Sequence, residues 1–203
     1  MGARDAILSA ADQIFGEVGY DAASTREIAE LSGANKALIH YHFKNKEGLL
    51  ASVLDRYYAQ LGAEIQAALS GSGDLRQRLA RLLDAYADFL ANNQRFCRIV
   101  QREAAGGTQV DKIRNAMLPL FQMGRQIIAD AYPHAAGMDL AAEHLMVSVY
   151  GMIITYFTYS DVLTPLLGSD PMSRRNLTAR KHHVRQVVDL LVAELERAAE
   201  TSQ

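Results

Sequence analysis

The stretch that decides the fold runs from Ser24 to Leu49 and reads STREIAELSGANKALIHYHFKNKEGL. It contains two short segments with apolar residues at helical spacing, and residues 32–35, which include a glycine suited to a turn, separate them. Ser24 or Thr25 can cap the first segment, and Glu27 completes a capping-box pattern with Ser24. Two short helices joined this tightly, behind a preceding amphipathic helix, predict a helix-turn-helix motif whose second helix is the recognition helix.

The recognition segment is locally basic, although the whole chain is not. The 203 residues carry 21 Lys and Arg against 23 Asp and Glu, a formal net charge of −2, so bulk charge gives no argument for nucleic acid. Between Leu31 and Lys46 there is no carboxylate, while Lys36, Lys44 and Lys46 are positive. Local positive charge with short polar side chains is what entry into a DNA groove requires. The alternative is a three-helix cap whose lysines are only solvated surface.

The rest of the chain also has helical periodicity, and we predict an all-α fold of about nine helices. Three short helices come first and six longer ones follow. Of the last two, one covers about residues 139–159, and the other begins at Pro171 after a predicted loop from Thr164 to Pro171. No linker separates the short triplet from the longer helices. The natural division therefore lies near residue 45, between residues 1–45 and 46–203.

Composition argues against several other classes of protein. The single cysteine, Cys97, excludes an intrachain disulfide and every multi-cysteine zinc site, and we expect an ordinary buried thiol. No Glu is followed three residues later by His, and we predict neither a metal nor a cofactor. No phosphate-binding glycine loop or G-x-S-x-G elbow appears, so we expect no enzyme. No apolar run approaches the ~20 residues of a membrane-spanning helix, and we expect a cytoplasmic protein without a membrane partner.

Residues 24–49, with the preceding Phe15-Gly16-Glu17-Val18-Gly19-Tyr20, closely resemble the N-terminal domain of TetR-family transcriptional regulators. The similarity covers about residues 4–50. It implies a homodimer that binds a palindromic DNA operator, most often as a repressor that a small effector releases. Residues 1–45 are then the DNA-binding domain, and residues 46–203 are the ligand-sensing and dimerisation domain. The alternative is a helical small-molecule-binding protein or enzyme without a DNA-binding role.

The resemblance implies a set of DNA contacts. Thr25 begins the second helix, where its hydroxyl and backbone N–H can hold a phosphate. Arg26 and Lys36 are the expected base readers, because both can donate to guanine O6 and N7. Tyr41 and Lys46 match positions expected to act through the phosphates. The predicted DNA contacts are Thr25, Arg26, Asn35, Lys36, Leu38, His40 (where the family usually has Tyr), Tyr41 and Lys46.

An effector pocket is predicted in the longer helices. Six of the seven methionines lie after residue 116, and flexible, polarisable side chains with aromatics can line an adaptable apolar pocket. We predict a mainly apolar or aromatic effector, and the alternative for each residue is plain core filling. The predicted pocket residues are Tyr86, Phe89, Arg102, Met117, Phe121, Arg125, His144, Tyr150 and Tyr156, with Arg98 as a further candidate anchor.

The last two long helices are predicted to form the dimer interface, because they carry more apolar surface than one small bundle needs. Two helices from each subunit would make a four-helix interface about a two-fold axis. A partner-free monomer is the alternative. The predicted interface residues are Val147, Ile154, Phe157, Val184, Val187, Val188, Leu191 and Leu195. The basic run from Arg174 to Arg185 is interpreted as the solvated start of the final helix, with a surface for an anionic partner as the alternative.

Overall fold

The computed structural model describes residues 2–133 and 141–201, and within these ranges it contains ten α-helices and no strand. The predicted all-α class is confirmed. The predicted helix start near Asp139 lies outside the described residues. The helices are α1 (Ala3–Val18), α2 (Thr25–Ser32), α3 (Lys36–Phe43), α4 (Lys46–Ser70), α5 (Leu75–Asn92), α6 (Gln94–Ala104), α7 (Val110–Ala131), α8 (Ala142–Thr158), α9 (Ser160–Leu167) and α10 (Arg174–Thr201).

The helix α9 is absent from the sequence-based expectation, which places a loop from Thr164 to Pro171. The helix continues through Pro165 and ends at Gly168, which adopts a left-handed conformation with φ 67° and donates its N–H to Thr164 O. None of the residues of α9 is buried. The segment has apolar residues at Val162, Leu163, Leu166 and Leu167, but it is only eight residues long and contains Pro165, and a proline within so short a segment predicts a break rather than a helix.

The described chain forms two compact units. The first unit comprises residues 1–62 and 93–116, and the second comprises residues 63–92 and 117–203. The chain passes from one unit to the other within α4, between α5 and α6, and within α7. The division near residue 45 concerns the roles of residues 1–45 and 46–203 rather than their compactness, and it stays a prediction.

The first unit is built around the three N-terminal helices. Fully buried side chains from α1, α2, α3 and α4, among them Phe15, Ile28, Ile39 and Leu50, form its core. Cys97 on α6 is buried as expected, and burial raises the pKa of its thiol to about 12. The thiol is therefore protonated near neutral pH and unreactive as a nucleophile.

The second unit packs α10 on α5 and α8. Ion pairs join α10 to α5, since Lys181 Nζ lies 2.8 Å from the Asp88 carboxylate and Arg185 pairs with Asp84. Two cations of the basic run therefore have carboxylate partners, while Arg174 and Arg175 are exposed. Within residues 2–133 and 141–201, no group of three or more His, Cys, Asp or Glu could hold a metal ion. No helix in those ranges is long and apolar enough to cross a membrane.

Candidate nucleic-acid interface

The helix α2 begins at a capping box, as the sequence predicts, with Ser24 as the N-cap. Ser24 Oγ accepts from Glu27 N at 3.1 Å, and Ser24 N donates to Glu27 Oε2 at 2.9 Å. Hydrogen bonds from Ser24 lower the pKa of the Glu27 carboxyl. The first-turn N–H groups of Thr25 and Arg26 have no intrahelical partner, and the helix dipole adds positive charge there. The start of α2 is thus suited to a phosphate.

The turn between α2 and α3 is short and fully structured. Gly33 adopts a left-handed conformation (φ 65°, ψ 15°) and ends α2. Asn35 then caps α3, because its Oδ1 accepts from Ala37 N at 2.9 Å. That bond uses the side-chain carbonyl oxygen of Asn35, one of the predicted DNA contacts. Its amide N–H groups are what a base or phosphate would meet.

The helix α3 has one buried side and one exposed side. Ile39 and Phe43 are buried in the first unit, and Leu38 is half-buried. The exposed side chains, which we call the recognition face, include Tyr41 at 79% exposure. The recognition face comprises Lys36, Ala37, His40, Tyr41 and Lys44. It presents two ammonium groups, an imidazole and a phenol hydroxyl, all of which can meet phosphates or base edges.

Arg26 is exposed on α2, but its guanidinium already has a partner. Its Nε donates to Glu30 Oε1 at 2.9 Å, one helical turn away. This bond and the Glu30 charge raise the pKa of Arg26. A base contact by Arg26 would use its Nη donors or replace the contact with Glu30.

The ammonium of Lys46 binds backbone carbonyls of the turn between α1 and α2. Its Nζ donates to Tyr20 O at 2.9 Å and to Ala23 O at 3.0 Å, with Asp21 O at 3.5 Å. An ammonium group has three donors, and these carbonyls match all of them. Lys46 therefore has a structural role, because the turn between α1 and α2 exposes carbonyls beside the start of α4. Its predicted phosphate contact stays a prediction.

The connection between α3 and α4 leaves room for only a hydrogen atom at Gly48. A Cβ built there would lie 2.2 Å from Phe43 O. Gly48 N donates to Asn45 Oδ1 at 2.7 Å, and Lys44 adopts a positive φ of 68°. Sequence reasoning assigned Gly48 no role, although a glycine in the first turn of a long helix is the signal that could have identified it.

Two family descriptions match this chain. Residues 7–53 match the family described as bacterial regulatory proteins, tetR family. Residues 76–188, more than half of the chain, match the tetracyclin repressor-like C-terminal domain. The chain belongs to the TetR family. It is a transcriptional regulator with a helix-turn-helix DNA-binding domain, in a family of regulators rather than enzymes.

Curated relatives of this TetR-family chain include both an activator and a repressor. The transcriptional repressor ComR of Escherichia coli K12 is 30% identical over 168 residues, covering 75% of this chain and 78% of ComR. The transcriptional activator FasR of Mycolicibacterium smegmatis is 34% identical over 97 residues, covering 48% of this chain and 44% of FasR. The FasR match therefore spans less than half of either protein.

Solved structures have the same fold at low sequence identity. The fatty acid degradation regulator FadR from Bacillus halodurans aligns with a TM-score of 0.73 at 20% identity, covering 92% of this chain and 94% of FadR. The ketosteroid regulator KstR2 of Mycobacterium tuberculosis aligns with a TM-score of 0.69 at 16% identity, covering 95% and 94%. At these sequence identities, the similarity shows the TetR-family fold alone.

Arg102, predicted as a pocket anchor, lies in the first unit of this TetR-family regulator. Its guanidinium is within hydrogen-bond distance of Phe15 O at 3.4 Å and Glu17 O at 3.5 Å, and Arg98 Nε donates to Gly16 O at 3.1 Å. These carbonyls end α1, where positive charge complements the helix dipole. Both arginines therefore cap α1 rather than line a pocket in the second unit.

The structure brings together three of the predicted pocket residues in the second unit. The rings of Phe121 and Tyr150 meet edge to face at 5.2 Å, and Tyr86 stacks on Tyr150 at 6.4 Å between centroids. We call these three residues the aromatic cluster. The other predicted pocket residues lie in different environments. Phe89 and Tyr156 are buried, Met117 is half-buried, His144 is exposed, and Arg125 forms a 3.1 Å ion pair with Glu143.

The predicted dimer residues divide into buried and accessible positions. Four of them are covered within a single chain, because α10 packs on α5 and α8 of the same unit; these are Phe157, Val184, Val188 and Leu195. Ile154, Val187 and Leu191 are half-buried, and Val147 is 67% exposed. Leu190, which sequence reasoning omitted, is 69% exposed on α10. A contact between copies would therefore use the accessible positions, and the four buried ones belong to the core.

Proposed function

We propose that this regulator is a homodimeric repressor that binds a pseudo-palindromic operator and is released by a small, mainly apolar or aromatic effector. In this proposal, residues 1–45 read DNA, and residues 46–203 sense the effector and dimerise. The observation that carries it is the recognition face of α3. The buried Ile39 and Phe43 fix the helix on the first unit, while Lys36, His40 and Tyr41 remain accessible to a duplex.

The polar groups around the recognition face support separate roles for bases and phosphates. Lys36 stands at the start of α3, where recognition helices meet base edges, and Arg26 stands on the preceding helix. Tyr41 is at the far end of α3, and Thr25 is at the positive end of α2. We assign base reading to Arg26 and Lys36, and phosphate contacts to Thr25 and Tyr41.

A two-fold dimer would present two recognition helices to one face of the duplex. Half-sites would then lie about one helical turn apart, ~34–36 Å, or modestly farther. Val147 and Leu190 are the exposed apolar positions on α8 and α10, the two helices that the proposal places in the contact between copies. The repressor assignment is supported by ComR, a described repressor that is similar over 168 residues.

The aromatic cluster supports an apolar or aromatic effector. Tyr86, Phe121 and Tyr150 come from α5, α7 and α8, so a ligand that inserts between them would contact three helices at once. Such a ligand could favour one arrangement of these helices over another, which is the requirement for any effect on DNA affinity.

The test is selection of duplexes from a randomised pool, followed by titration of the selected duplex and a scrambled one. We expect a two-fold symmetric consensus sequence. The selected duplex should bind more tightly than the scrambled duplex at every salt concentration. Aromatic and aliphatic compounds are then added to the complex, and one class should release the duplex. If no selected sequence binds more tightly than the scrambled duplex, the proposal fails. A consensus sequence without two-fold symmetry would contradict the proposal that the regulator binds DNA as a homodimer.

A further inference from the structure

The first turn of α1 lies against the last turn of the recognition helix α3. Arg4, an exposed residue of that first turn, places its guanidinium 5.4 Å from the centre of the Phe43 ring. One helical turn later, Ile7 and Leu8 are buried in the core of the first unit, where α1 packs on α2 and α3. None of the proposed DNA contacts lies on α1, although its start is beside the end of the helix proposed to read DNA.

The guanidinium of Arg4 is held in place but has no acidic partner. Within the part of the chain that the structure describes, Arg4 forms no ion pair and no side-chain hydrogen bond. The adjacent carboxylate is that of Asp5, and its Oδ2 turns back to the N-cap, 3.7 Å from the position of a Cβ at Gly2. A guanidinium over an aromatic ring keeps the N–H groups at its edge available, and these fit phosphate oxygens in pairs.

The dimensions of α3 place its last turn near a phosphate strand when its first turn meets base edges. The N-terminal residues of a recognition helix contact the bases, and Lys36 stands there. The eight residues of α3 span about 12 Å, while the major groove of B-DNA is ~8.5 Å deep and ~12 Å wide. The end of α3 at Phe43 and Lys44 is therefore at the border of the groove, and Arg4 lies at this same end.

We propose that Arg4 donates to a DNA phosphate at the border of the major groove, so that the contact of each subunit extends from α2 and α3 to the start of α1. This contact adds affinity but no sequence preference, because phosphates carry no sequence information. Its position over the Phe43 ring restricts the arginine before DNA binds, which lowers the entropy that the contact costs. The inference rests on the proposed placement of α3 in the major groove and adds a helix that the proposed function does not use.

The first test is the salt dependence of binding to the selected duplex and to a scrambled one, measured by fluorescence anisotropy on the full chain. Arg4→Gln should weaken both complexes by the same factor, about three- to tenfold per subunit, and reduce the salt slope by about one per subunit. Arg4→Lys keeps the charge and should retain the wild-type slope. Arg114→Gln, at an exposed arginine of the same unit that pairs with Asp111, is the matched control and should bind both duplexes like the wild type.

The second test locates the contact on the DNA. Uncharged methylphosphonates replace the phosphates along the border of each half-site, one at a time. One position should weaken binding of the wild type and of Arg4→Lys about three- to tenfold, and leave binding of Arg4→Gln unchanged, because that variant has already lost the contact. A merely structural role of Arg4 in covering Phe43 would give no such position. Since Arg4 is exposed, urea denaturation of both variants should match the wild type.

An unchanged salt slope in Arg4→Gln, or the wild-type response to every methylphosphonate, would overturn the proposal. A larger loss on the selected duplex than on the scrambled one would also overturn it, because Arg4 would then read bases. The scrambled duplex separates this inference from operator binding. A reduced slope there supports the phosphate contact even if no operator is selected, and an unchanged slope overturns the contact even if a symmetric operator is found.

Discussion

The ammonium of Lys46 donates to the backbone oxygen of Tyr20 at 2.9 Å and lies 4.4 Å from the centre of the Tyr20 ring. The same group also bonds Ala23 O, so it closes the turn that leads from α1 into α2. A lysine at the start of α4 thereby holds the position of α2, and with it the helix end proposed to meet a phosphate.

Replacing Lys46 should lower stability more than it changes DNA affinity. Lys46→Met keeps the apolar stem and removes the charged donor, and we expect a loss of about 1.5–3 kcal/mol in the free energy of unfolding. Urea denaturation measures this loss. Lys44→Met is the matched control at an exposed lysine of the recognition face. It should leave stability unchanged and reduce the salt slope of DNA binding by about one per subunit. A loss of stability in Lys44→Met, with only a reduced salt slope in Lys46→Met, would contradict the structure.

Lys36→Ala should reduce sequence preference, because Lys36 stands at the start of the recognition helix. The expected loss is about 1–3 kcal/mol per half-site on the selected operator, and a smaller loss on a scrambled duplex. Fluorescence anisotropy with both duplexes measures the difference. Tyr41→Phe is the comparison variant, since it removes one exposed hydroxyl. It should weaken binding to both duplexes by a similar factor. Equal losses on the two duplexes for Lys36→Ala would show that Lys36 contacts only phosphates.

Gly48→Ala should destabilise the first unit, because the added Cβ would lie 2.2 Å from Phe43 O. We expect a loss of about 2–3 kcal/mol in the free energy of unfolding, the range for strained substitutions. Gly62→Ala in the same helix is the control, since nothing lies within 4 Å of its Cβ. That change should stabilise by about 0.5–1 kcal/mol, as alanine is the better helix former. Similar effects at both glycines would mean that the close approach to Phe43 does not exist.

Tyr57→Phe should produce a stability difference that depends on pH. Tyr57 Oη donates to the buried Asp12 carboxylate at 2.5 Å. Burial first, and then the hydrogen bond and charge of Asp12, raise the pKa of Tyr57 above its ordinary value of about 10. At neutral pH, the variant should lose about 1–3 kcal/mol of unfolding free energy, because Asp12 loses a donor.

The sign of the pH effect follows from proton binding. Above pH ~10, the unfolded chain releases the Tyr57 proton while the folded chain keeps it, so this contribution to stability falls as pH rises towards the folded pKa. The advantage of wild type over Tyr57→Phe should therefore shrink above pH ~10 and stay constant between neutrality and about pH 9. Denaturation curves of both proteins at each pH give this difference. A constant difference throughout would contradict the raised pKa.

Leu190→Asp should dissociate the proposed dimer without unfolding it. Leu190 is exposed on α10, so the folded monomer tolerates a charge there, while a contact between copies would not. Sedimentation velocity reports the mass, and circular dichroism reports the fold. Val188→Asp, two residues away but buried, should unfold the second unit instead. A dimer that is unchanged by Leu190→Asp would place the interface elsewhere.

Local patterns in the sequence were sufficient to predict the fold class and the capping box at Ser24. These features depend on residues within a few positions of one another, and periodicity and capping motifs record such relationships directly. The partners of Lys46 and Arg102 could not be predicted in this way. Their carbonyl acceptors lie 23–26 and 85–87 residues away, so only the packing of α1 determines them.

The apolar stripe on α10 was informative about burial but not about what covers it. Val184 and Val188 have the same periodicity whether they face α5 and α8 of their own chain or a second copy. The structure places them inside the second unit. Leu190 lies outside that stripe and was therefore overlooked.

The exposed helix α9 has a consequence for motion. Local stability follows the number of buried apolar side chains, and α9 buries none of its residues. It should therefore open and re-form far more often than α8 or α10, without disturbing the core beneath it. Residues 160–167 should therefore exchange their amide hydrogens before the rest of the unit does, while α8 and α10 remain folded.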